Sequence, residues 1–169
     1  MNDSTNQAKQ DYILNIEEII KENGFTIEDK DLTRPWGAFF RLKDTDAERF
    51  LDLYFPDIKD QFITYIGLSP KYLLIEPNKK LSWQYHYRRA EHWRVVGPDV
   101  GVKLSDNDAE PTGIQIIKNG GLVQFAAQKR HRLVGLDKWG IVAEIWEHTD
   151  TNHPSDEVDI IRVADDFGR

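Results

Sequence analysis

The first 24 residues carry apolar side chains that recur every three or four positions. These residues are Tyr12, Ile13, Ile16, Ile19 and Ile20. Such spacing predicts a helix, and Gly24 follows as a natural stop. Residues 1–24 are therefore expected to form a helical arm that packs on the core or on a partner. A second, shorter helix is predicted over Asp46–Tyr54, where charged and apolar residues alternate.

From about residue 72 the pattern changes to short segments that are rich in β-branched and aromatic residues and separated by turn signals. The predicted strands are Tyr72–Ile75, Leu81–Tyr87, His92–Val96, Gly101–Leu104, Ile114–Ile117, Leu122–Ala126, Arg132–Val134 and Gly140–Trp146. Many short strands without alternating helices predict a mainly β sandwich or barrel. No break in composition divides the chain, so residues 1–169 are expected to form one domain, with its barrel core in residues 72–169.

Composition excludes several classes of function. The net charge of −7 disfavours binding to nucleic acid, whose phosphates attract excess Lys and Arg. Without any cysteine, the chain has no disulfides, thiolate metal sites or cysteine nucleophiles. No stretch approaches the roughly 20 apolar residues of a membrane span. The start Met1–Ser4 lacks the positive charge of a signal peptide, so a cytoplasmic location is expected.

One segment concentrates residues that can bind a metal. Gln84 and His86 share one face of a predicted strand, because side chains alternate along a strand. If the chain turns at Arg88–Ala90 and returns, Glu91 converges with them. Imidazole, carboxylate and an amide oxygen form a plausible metal set, and His131 in a late strand is the best fourth ligand. A strand that merely carries polar residues is the alternative.

The other histidines have structural explanations. His92 neighbours Glu91 and should therefore point to the opposite face, as a hydrogen-bonded structural residue. His148 and His153 lie near a polar loop and are expected at the surface.

The motif Gln84-x-His86-x-x-Arg89-Ala90-Glu91-His92-Trp93 resembles the metal-binding segment of type II mannose-6-phosphate isomerases. Those proteins are cupins, often fused behind a mannose-1-phosphate guanylyltransferase domain. Further matches occur in order at Arg34-Pro35-Trp36-Gly37, Pro77-Asn78-Lys79-Lys80-Leu81-Ser82, His131-Arg132-Leu133, Asp159-Ile160-Ile161-Arg162 and Asp166-Phe167-Gly168-Arg169. About two-thirds of the chain takes part in the resemblance. No guanylyltransferase segment accompanies it, which indicates a stand-alone member.

The resemblance implies a cupin double-stranded β-helix, also called a jelly-roll barrel, and one divalent metal, usually zinc. The implied ligands are Gln84, His86, Glu91 and His131. The implied reaction converts mannose 6-phosphate to fructose 6-phosphate or interconverts a related aldose–ketose pair. Cations must hold the phosphate, and the candidates are Lys80, Arg89 and Arg162. Cupins commonly pair, so a homodimer is expected.

The sequence departs from the family at two places. The family has Pro-Ala-Gly-x-Pro before its second-motif histidine, whereas this chain has Ala126-Ala127-Gln128-Lys129-Arg130 before His131. The loss of that turn makes the placement of His131 less secure. Residues 44–70 resemble an insertion.

Several alternatives stay open. A non-catalytic cupin that binds a carbohydrate or sugar phosphate competes with the isomerase, and a metal oxygenase is disfavoured because such sites want more imidazole. No general base can be assigned. The cations also have structural explanations: an ion pair of Arg89 with Glu91, an exposed turn for Lys80, and a pair of Arg162 with Asp159 or Asp166.

Overall fold

The structure is a computed structural model that describes residues 2–169, with side chains from residue 4 onward. Its helices are α1 (Asn2–Glu22) and α2 (Ala47–Tyr54). Its strands are β1 (Ile27–Asp31), β2 (Gly37–Leu42), β3 (Lys71–Ile75), β4 (Trp83–Tyr85), β5 (Arg89–Val95), β6 (Val100–Ser105), β7 (Gln115–Ile117), β8 (Leu122–Phe125), β9 (Arg130–Val134), β10 (Gly140–His148) and β11 (Ile161–Ala164).

The strands form two antiparallel sheets. The six-stranded sheet has the order β1-β2-β3-β10-β5-β8, and the five-stranded sheet has the order β11-β4-β9-β6-β7. From β3 onward the chain crosses from one sheet to the other at nearly every connection, and only the β6–β7 hairpin stays within one sheet. This topology confirms the predicted mainly β jelly roll with two helices.

The central strands β3 and β10 of the six-stranded sheet are buried on both faces. Leu74 points toward the helices and packs in a cluster with Ile20 and Phe50. Its neighbours Leu73 and Ile75 point between the sheets, because successive side chains alternate faces. Burial on both faces explains why Lys71–Ile75 contains a continuous apolar run instead of an alternating one.

The predicted N-terminal helix is confirmed, and it packs on the outer face of the six-stranded sheet. Ile13, Ile16 and Ile20 are buried there, while Leu14 and Ile19 face outward. Gly24 ends the helix with a backbone φ of +78°, a conformation that glycine adopts without strain. No helix within residues 2–169 has the length and apolar character needed to cross a membrane.

The early Pro-Trp-Gly motif has a steric explanation. Gly37 opens β2 with a φ of +153°, and a Cβ there would lie 1.8 Å from the carbonyl oxygen of Leu74. Any side chain would push β2 away from β3. The glycine of the motif therefore allows β2 to pack closely against β3, and the neighbouring Trp36 is buried.

Two features differ from the strand pattern predicted by the sequence. The sheets contain β1, β2 and β11, which the hydrophobic pattern does not reveal, and the first two precede residue 72. The predicted strand Leu81–Tyr87 is shortened to Trp83–Tyr85, and β5 already begins at Arg89. The connecting turn consequently covers residues 86–88, not Arg88–Ala90.

Candidate metal centre

Three of the predicted ligands meet in the interior between the sheets. His86 follows β4, Glu91 lies in β5 and His131 lies in β9. The Nε2 atom of His86 lies 3.1 Å from Oε1 of Glu91, and Nε2 of His131 lies 3.6 Å from Oε2. One potential ligand atom from each residue falls within 4.8 Å of the others. All three side chains are buried.

Backbone carbonyls fix the tautomer of both imidazoles. Nδ1 of His86 lies 2.6 Å from the carbonyl oxygen of Asp159, and Nδ1 of His131 lies 2.9 Å from that of Lys129. A carbonyl oxygen only accepts hydrogen bonds, so each Nδ1 carries the hydrogen and each Nε2 presents a lone pair. Metal-binding histidines typically have this arrangement.

The His131 ring supplies the clearest sign that a cation fits. Its Nε2 is buried and has no hydrogen-bond partner in the part of the chain that the structure describes. Burial lowers the pKa of His131 to about 4, so the ring is neutral near neutral pH. A buried polar atom without a partner is costly, and a metal ion between the three side chains would remove that cost.

Glu91 supplies the negative charge of the centre. Burial alone would raise its pKa, but His86, Arg89 and His131 hold the pKa well below its ordinary value. The carboxylate accepts hydrogen bonds from Nε of Arg89 at 2.9 Å and from Nε1 of Trp93 at 3.1 Å. Two imidazole nitrogens and one carboxylate form a donor set suited to divalent zinc or a related ion, so this group can bind a metal.

The fourth predicted ligand, Gln84, lies beside the other three but presents its amide nitrogen to them. Its Nε2 is 3.4 Å from Nε2 of His86, and its Oε1 accepts a hydrogen bond from Oγ of Ser82 at 2.5 Å. Rotation of the amide by half a turn would exchange the two atoms. Gln84 would then offer an oxygen to the centre.

The three predicted phosphate-binding cations occupy different environments. Arg89 is buried, pairs with Glu91 and stacks over the Trp146 ring at 3.7 Å. Lys80 is half-exposed and pairs with Asp166 at 3.4 Å. The pair of Arg89 with Glu91 is the one that the sequence offered as an alternative, whereas the pair of Lys80 with Asp166 was not expected.

Arg162 differs from the other two cations. It lies opposite Gln84 in the ladder between β4 and β11, so both side chains share the inner face. Its guanidinium forms no ion pair with any residue that the structure describes, which excludes the alternative pairs with Asp159 and Asp166. Burial and the neighbouring Arg169 lower the pKa of Arg162, although an arginine remains charged.

A cavity of about 350 Å³ lies beside the centre, and its lining includes Gln84, Arg89 and Glu91. Apolar side chains of Trp36, Leu73 and Trp93 form part of its wall. Charged side chains of Glu91 and Arg162 also line it. The size suits a small polar molecule.

Sequence reasoning missed one functional candidate, Glu144 in β10. This buried carboxylate lines the cavity, and its oxygens accept hydrogen bonds from Nε1 of Trp93 at 2.9 Å and from Nε1 of Trp146 at 3.1 Å. Burial, together with the charge of Glu91, raises its pKa to about 7. A single carboxylate inside the apolar run 141–146 is a signal that could have identified it.

The sequence profile of the family described as "Mannose-6-phosphate isomerase C-terminal" matches residues 66–165. The match covers more than half of the chain and includes His86, Glu91 and His131. The chain belongs to this family. The resemblance that rests on the ordered motifs is thereby confirmed. No curated protein sequence matches the chain.

Solved structures similar to this family member share its fold. The capsular polysaccharide assembling protein CapF from Staphylococcus aureus has 13% identity and a TM-score of 0.50, over 82% of this chain and 32% of that chain. Vicilin from Solanum lycopersicum has 12% identity and a TM-score of 0.52, over 82% of this chain and 35% of that chain. The coconut allergen cocosin has 14% identity and a TM-score of 0.54, over 81% of this chain and 32% of that chain. The chain spans about a third of their length, and such identities support the cupin fold alone.

The altered turn before His131 still presents the histidine in this family member. Gln128 adopts a left-handed backbone with φ of +67°, the conformation that a glycine would provide. Its backbone N–H donates to the carbonyl oxygen of His86 at 2.7 Å, which ties the turn to the metal centre. Left-handed Gln128 thus replaces the missing proline-glycine turn.

The remaining histidines lie outside the centre. His92 is buried on the opposite face of β5, as predicted, and its ring nitrogens lie 2.9 Å from Oε2 of Glu147 and 2.9 Å from Nε2 of Gln124. His153 is exposed, whereas His148 is half-buried and accepts a hydrogen bond from the backbone N–H of Ser155 at 3.0 Å.

Proposed function

We propose that the protein is a metal-dependent sugar-phosphate isomerase that interconverts mannose 6-phosphate and fructose 6-phosphate, or a related aldose–ketose pair. The observation that carries the proposal is the buried Nε2 of His131, which faces an ionised Glu91 and has no hydrogen-bond partner among the described residues. Glu91 lines a cavity together with Arg162, whose guanidinium forms no ion pair within residues 4–169. Membership of the isomerase domain family supports it.

The proposed cofactor is one divalent ion, zinc by preference, held by His86, Glu91 and His131. Gln84 would complete a four-ligand set after rotation of its amide. A bound divalent ion supplies Lewis-acid polarisation of the substrate carbonyl and hydroxyl oxygens. Arg89 keeps the Glu91 carboxylate ionised and oriented through the hydrogen bond from its Nε.

In this proposal Arg162 binds the substrate phosphate. It is the cavity-lining arginine without a carboxylate partner within the described chain, whereas Arg34 and Arg169 pair with Asp31 and Asp165, each at 2.9 Å. A guanidinium can grip a phosphate through two parallel hydrogen bonds. An anionic group of the substrate would therefore replace water at Arg162.

Glu144 is the proposed proton carrier. Isomerisation of the open-chain sugar moves one proton between adjacent carbons and a second between their two oxygens. One carboxylate can take the first proton from one carbon and return it to the other. A pKa of about 7 lets Glu144 exist in both forms near neutral pH. The two indole N–H groups of Trp93 and Trp146 hold the carboxylate in place.

We also propose that the protein works as a homodimer. Leu14 and Ile19 on the outer side of α1 are large apolar residues exposed to solvent, which is consistent with a partner surface. Light scattering after size-exclusion chromatography would give the mass. A monomer at micromolar concentration would contradict this assignment.

The isomerase proposal is tested with zinc-loaded protein, an assay of mannose 6-phosphate conversion to fructose 6-phosphate, and two variants. Arg162→Ala should raise the KM for mannose 6-phosphate at least about tenfold, the loss expected for a charge-assisted contact. Lys80→Ala should change it little, since Lys80 pairs with Asp166. Zinc-free protein after purification with zinc would contradict the proposal. Bound zinc and sugar phosphate without turnover would favour the non-catalytic cupin.

A further inference from the structure

Asp159 is a buried carboxylate within a polar loop. The loop connects β10 to β11, and the residues immediately before Asp159, from 156 to 158, are exposed. Asp159 itself is only 6% exposed. A carboxylate leaves water at a considerable cost unless hydrogen bonds compensate for it. Its contacts should therefore account for its position.

The carboxylate holds the turn between β4 and β5. Oδ1 accepts a hydrogen bond from the backbone N–H of Tyr87 at 3.0 Å, and Oδ2 accepts one from that of Arg88 at 3.0 Å. Oγ of Ser155 donates to Oδ2 at 2.6 Å. Although burial alone would raise the pKa of Asp159, these hydrogen bonds lower it, so the group stays ionised.

The backbone of the same residue holds the His86 ring. The carbonyl oxygen of Asp159 accepts the Nδ1 hydrogen at 2.6 Å. Asp159 thus contacts both the ring of His86 and the backbone of the two residues that follow it. Removing the carboxylate would take away these three hydrogen bonds, and the carbonyl oxygen would be held less firmly opposite Nδ1.

The loop also reaches a second ligand of the centre. Nη1 of Arg89 donates to Oγ of Ser155 at 2.9 Å and to the carbonyl oxygen of Asp156 at 3.0 Å. Nε of the same arginine donates to Glu91. The loop that contains Asp159 therefore contacts His86 directly and Glu91 through Arg89.

From these contacts we infer that Asp159 is a positioning residue, which fixes the tautomer and orientation of His86 and thereby sets the metal affinity of the centre. The inference rests on the proposed metal site but not on isomerase activity. Outer groups that orient a ligand typically contribute about 10–100-fold to metal affinity.

The test measures zinc affinity by competition with a chromophoric chelator. Asp159→Asn should bind zinc roughly 10–100-fold more weakly than the wild type, because an amide cannot accept hydrogen bonds from both backbone N–H groups. Asp99→Asn is the matched control. Asp99 also accepts a backbone N–H, that of Asn119 at 3.1 Å, in a loop outside the centre. The Asp99→Asn variant should leave the zinc affinity unchanged.

A second measurement separates positioning from general damage to the fold. Nitrogen-15 NMR of the metal-free protein reports which ring nitrogen of His86 carries the hydrogen. The wild type should show hydrogen on Nδ1, and Asp159→Asn should show a mixture of tautomers. If that variant does not fold, Ser155→Ala removes one donor to Asp159 and should give a smaller change in the same direction.

Unchanged zinc affinity together with an unchanged His86 tautomer in a folded Asp159→Asn variant would overturn the inference. Zinc binding without turnover of mannose 6-phosphate would count only against the isomerase. If the wild type bound no zinc, the tautomer measurement on the metal-free protein would still decide whether Asp159 fixes His86.

Discussion

His131 and His92 are both buried imidazoles, and the partners of their ring nitrogens separate their roles. Both ring nitrogens of His92 have side-chain partners, Glu147 and Gln124. Among the described residues, His131 has a hydrogen-bond partner only at Nδ1, and its Nε2 faces the carboxylate of Glu91 across 3.6 Å. Two electron-rich atoms so placed need a cation between them. At the level of single residues, then, unsatisfied hydrogen bonding identifies the centre better than burial does.

The raised pKa of Glu144 predicts a dependence of stability on pH. The folded pKa of about 7 exceeds the ordinary 4.5, so between these values the folded protein retains a proton that the unfolded chain has released. The contribution of Glu144 to the free energy of unfolding is present below pH 4.5. It should fall as pH rises toward 7, by at most about 1.4 kcal/mol per pH unit.

Glu144→Gln removes this titration while keeping the shape of the side chain. The free energy of unfolding of the variant minus that of the wild type should increase from pH 4.5 to 7 and then level off. Urea unfolding of both proteins at several pH values measures this difference in the free energy of unfolding. His131, whose pKa of about 4 gives a slope of opposite sign, is present in both proteins and cancels from the difference. A difference that stays constant with pH would contradict the raised pKa.

At the level of elements, the strands from β3 to β10 were predictable, whereas β1, β2 and β11 were not. The apolar runs of β3 and β10 indicate their positions directly. Strand β1, with the sequence Ile-Glu-Asp-Lys-Asp, has no apolar pattern and is held by pairing with β2. Strand β11 is exposed throughout and lies at the edge of its sheet. Pairing with a distant segment leaves little trace in local composition.

The candidate site was predictable to a similar extent. Alternation along β5 correctly separated the inward Glu91 from the outward His92. The turn was misplaced because His86 leaves β4 to meet the carbonyl oxygen of Asp159, which is 73 positions away. Glu144 was read as part of an apolar strand. A long-range contact and a buried charge cannot be derived from spacing.

Helix α1 belongs to the folded core, which gives a prediction for its two faces. Ile20 is 1% exposed and packs in the cluster with Phe40 and Leu74, whereas Ile19 is 43% exposed. Ile20→Ala should lower the free energy of unfolding by about 2–5 kcal/mol, because it leaves a cavity. Ile19→Ala should change it by at most about 0.5 kcal/mol. Urea unfolding compares them, and equal effects would mean that α1 does not pack as described.

At the level of the whole molecule, the metal centre connects the two sheets. Glu91 comes from the six-stranded sheet, and His131 comes from the five-stranded sheet. A metal ion held by side chains from both sheets is bound only when the two sheets are packed together. The energy of metal binding therefore adds to the stability of the entire domain and not to one segment alone.

Zinc should consequently raise the Tm of the metal-free protein. At a free concentration of about 100 times the Kd, binding stabilises the folded state by about 2.7 kcal/mol. For a chain of this length each kcal/mol corresponds to roughly 2–4 °C, so the expected rise is about 5–10 °C. Scanning calorimetry with and without zinc, or after treatment with a chelator, measures the shift.

Two histidine variants attribute that shift to the centre. His131→Ala removes the ligand contributed by the five-stranded sheet and should abolish the rise in Tm. His92→Ala removes an equally buried imidazole from the opposite face of β5, so it should lower the starting Tm yet retain the rise. If zinc stabilised the His131→Ala variant as much as the wild type, the ion would bind elsewhere. The two sheets would then be joined by packing alone.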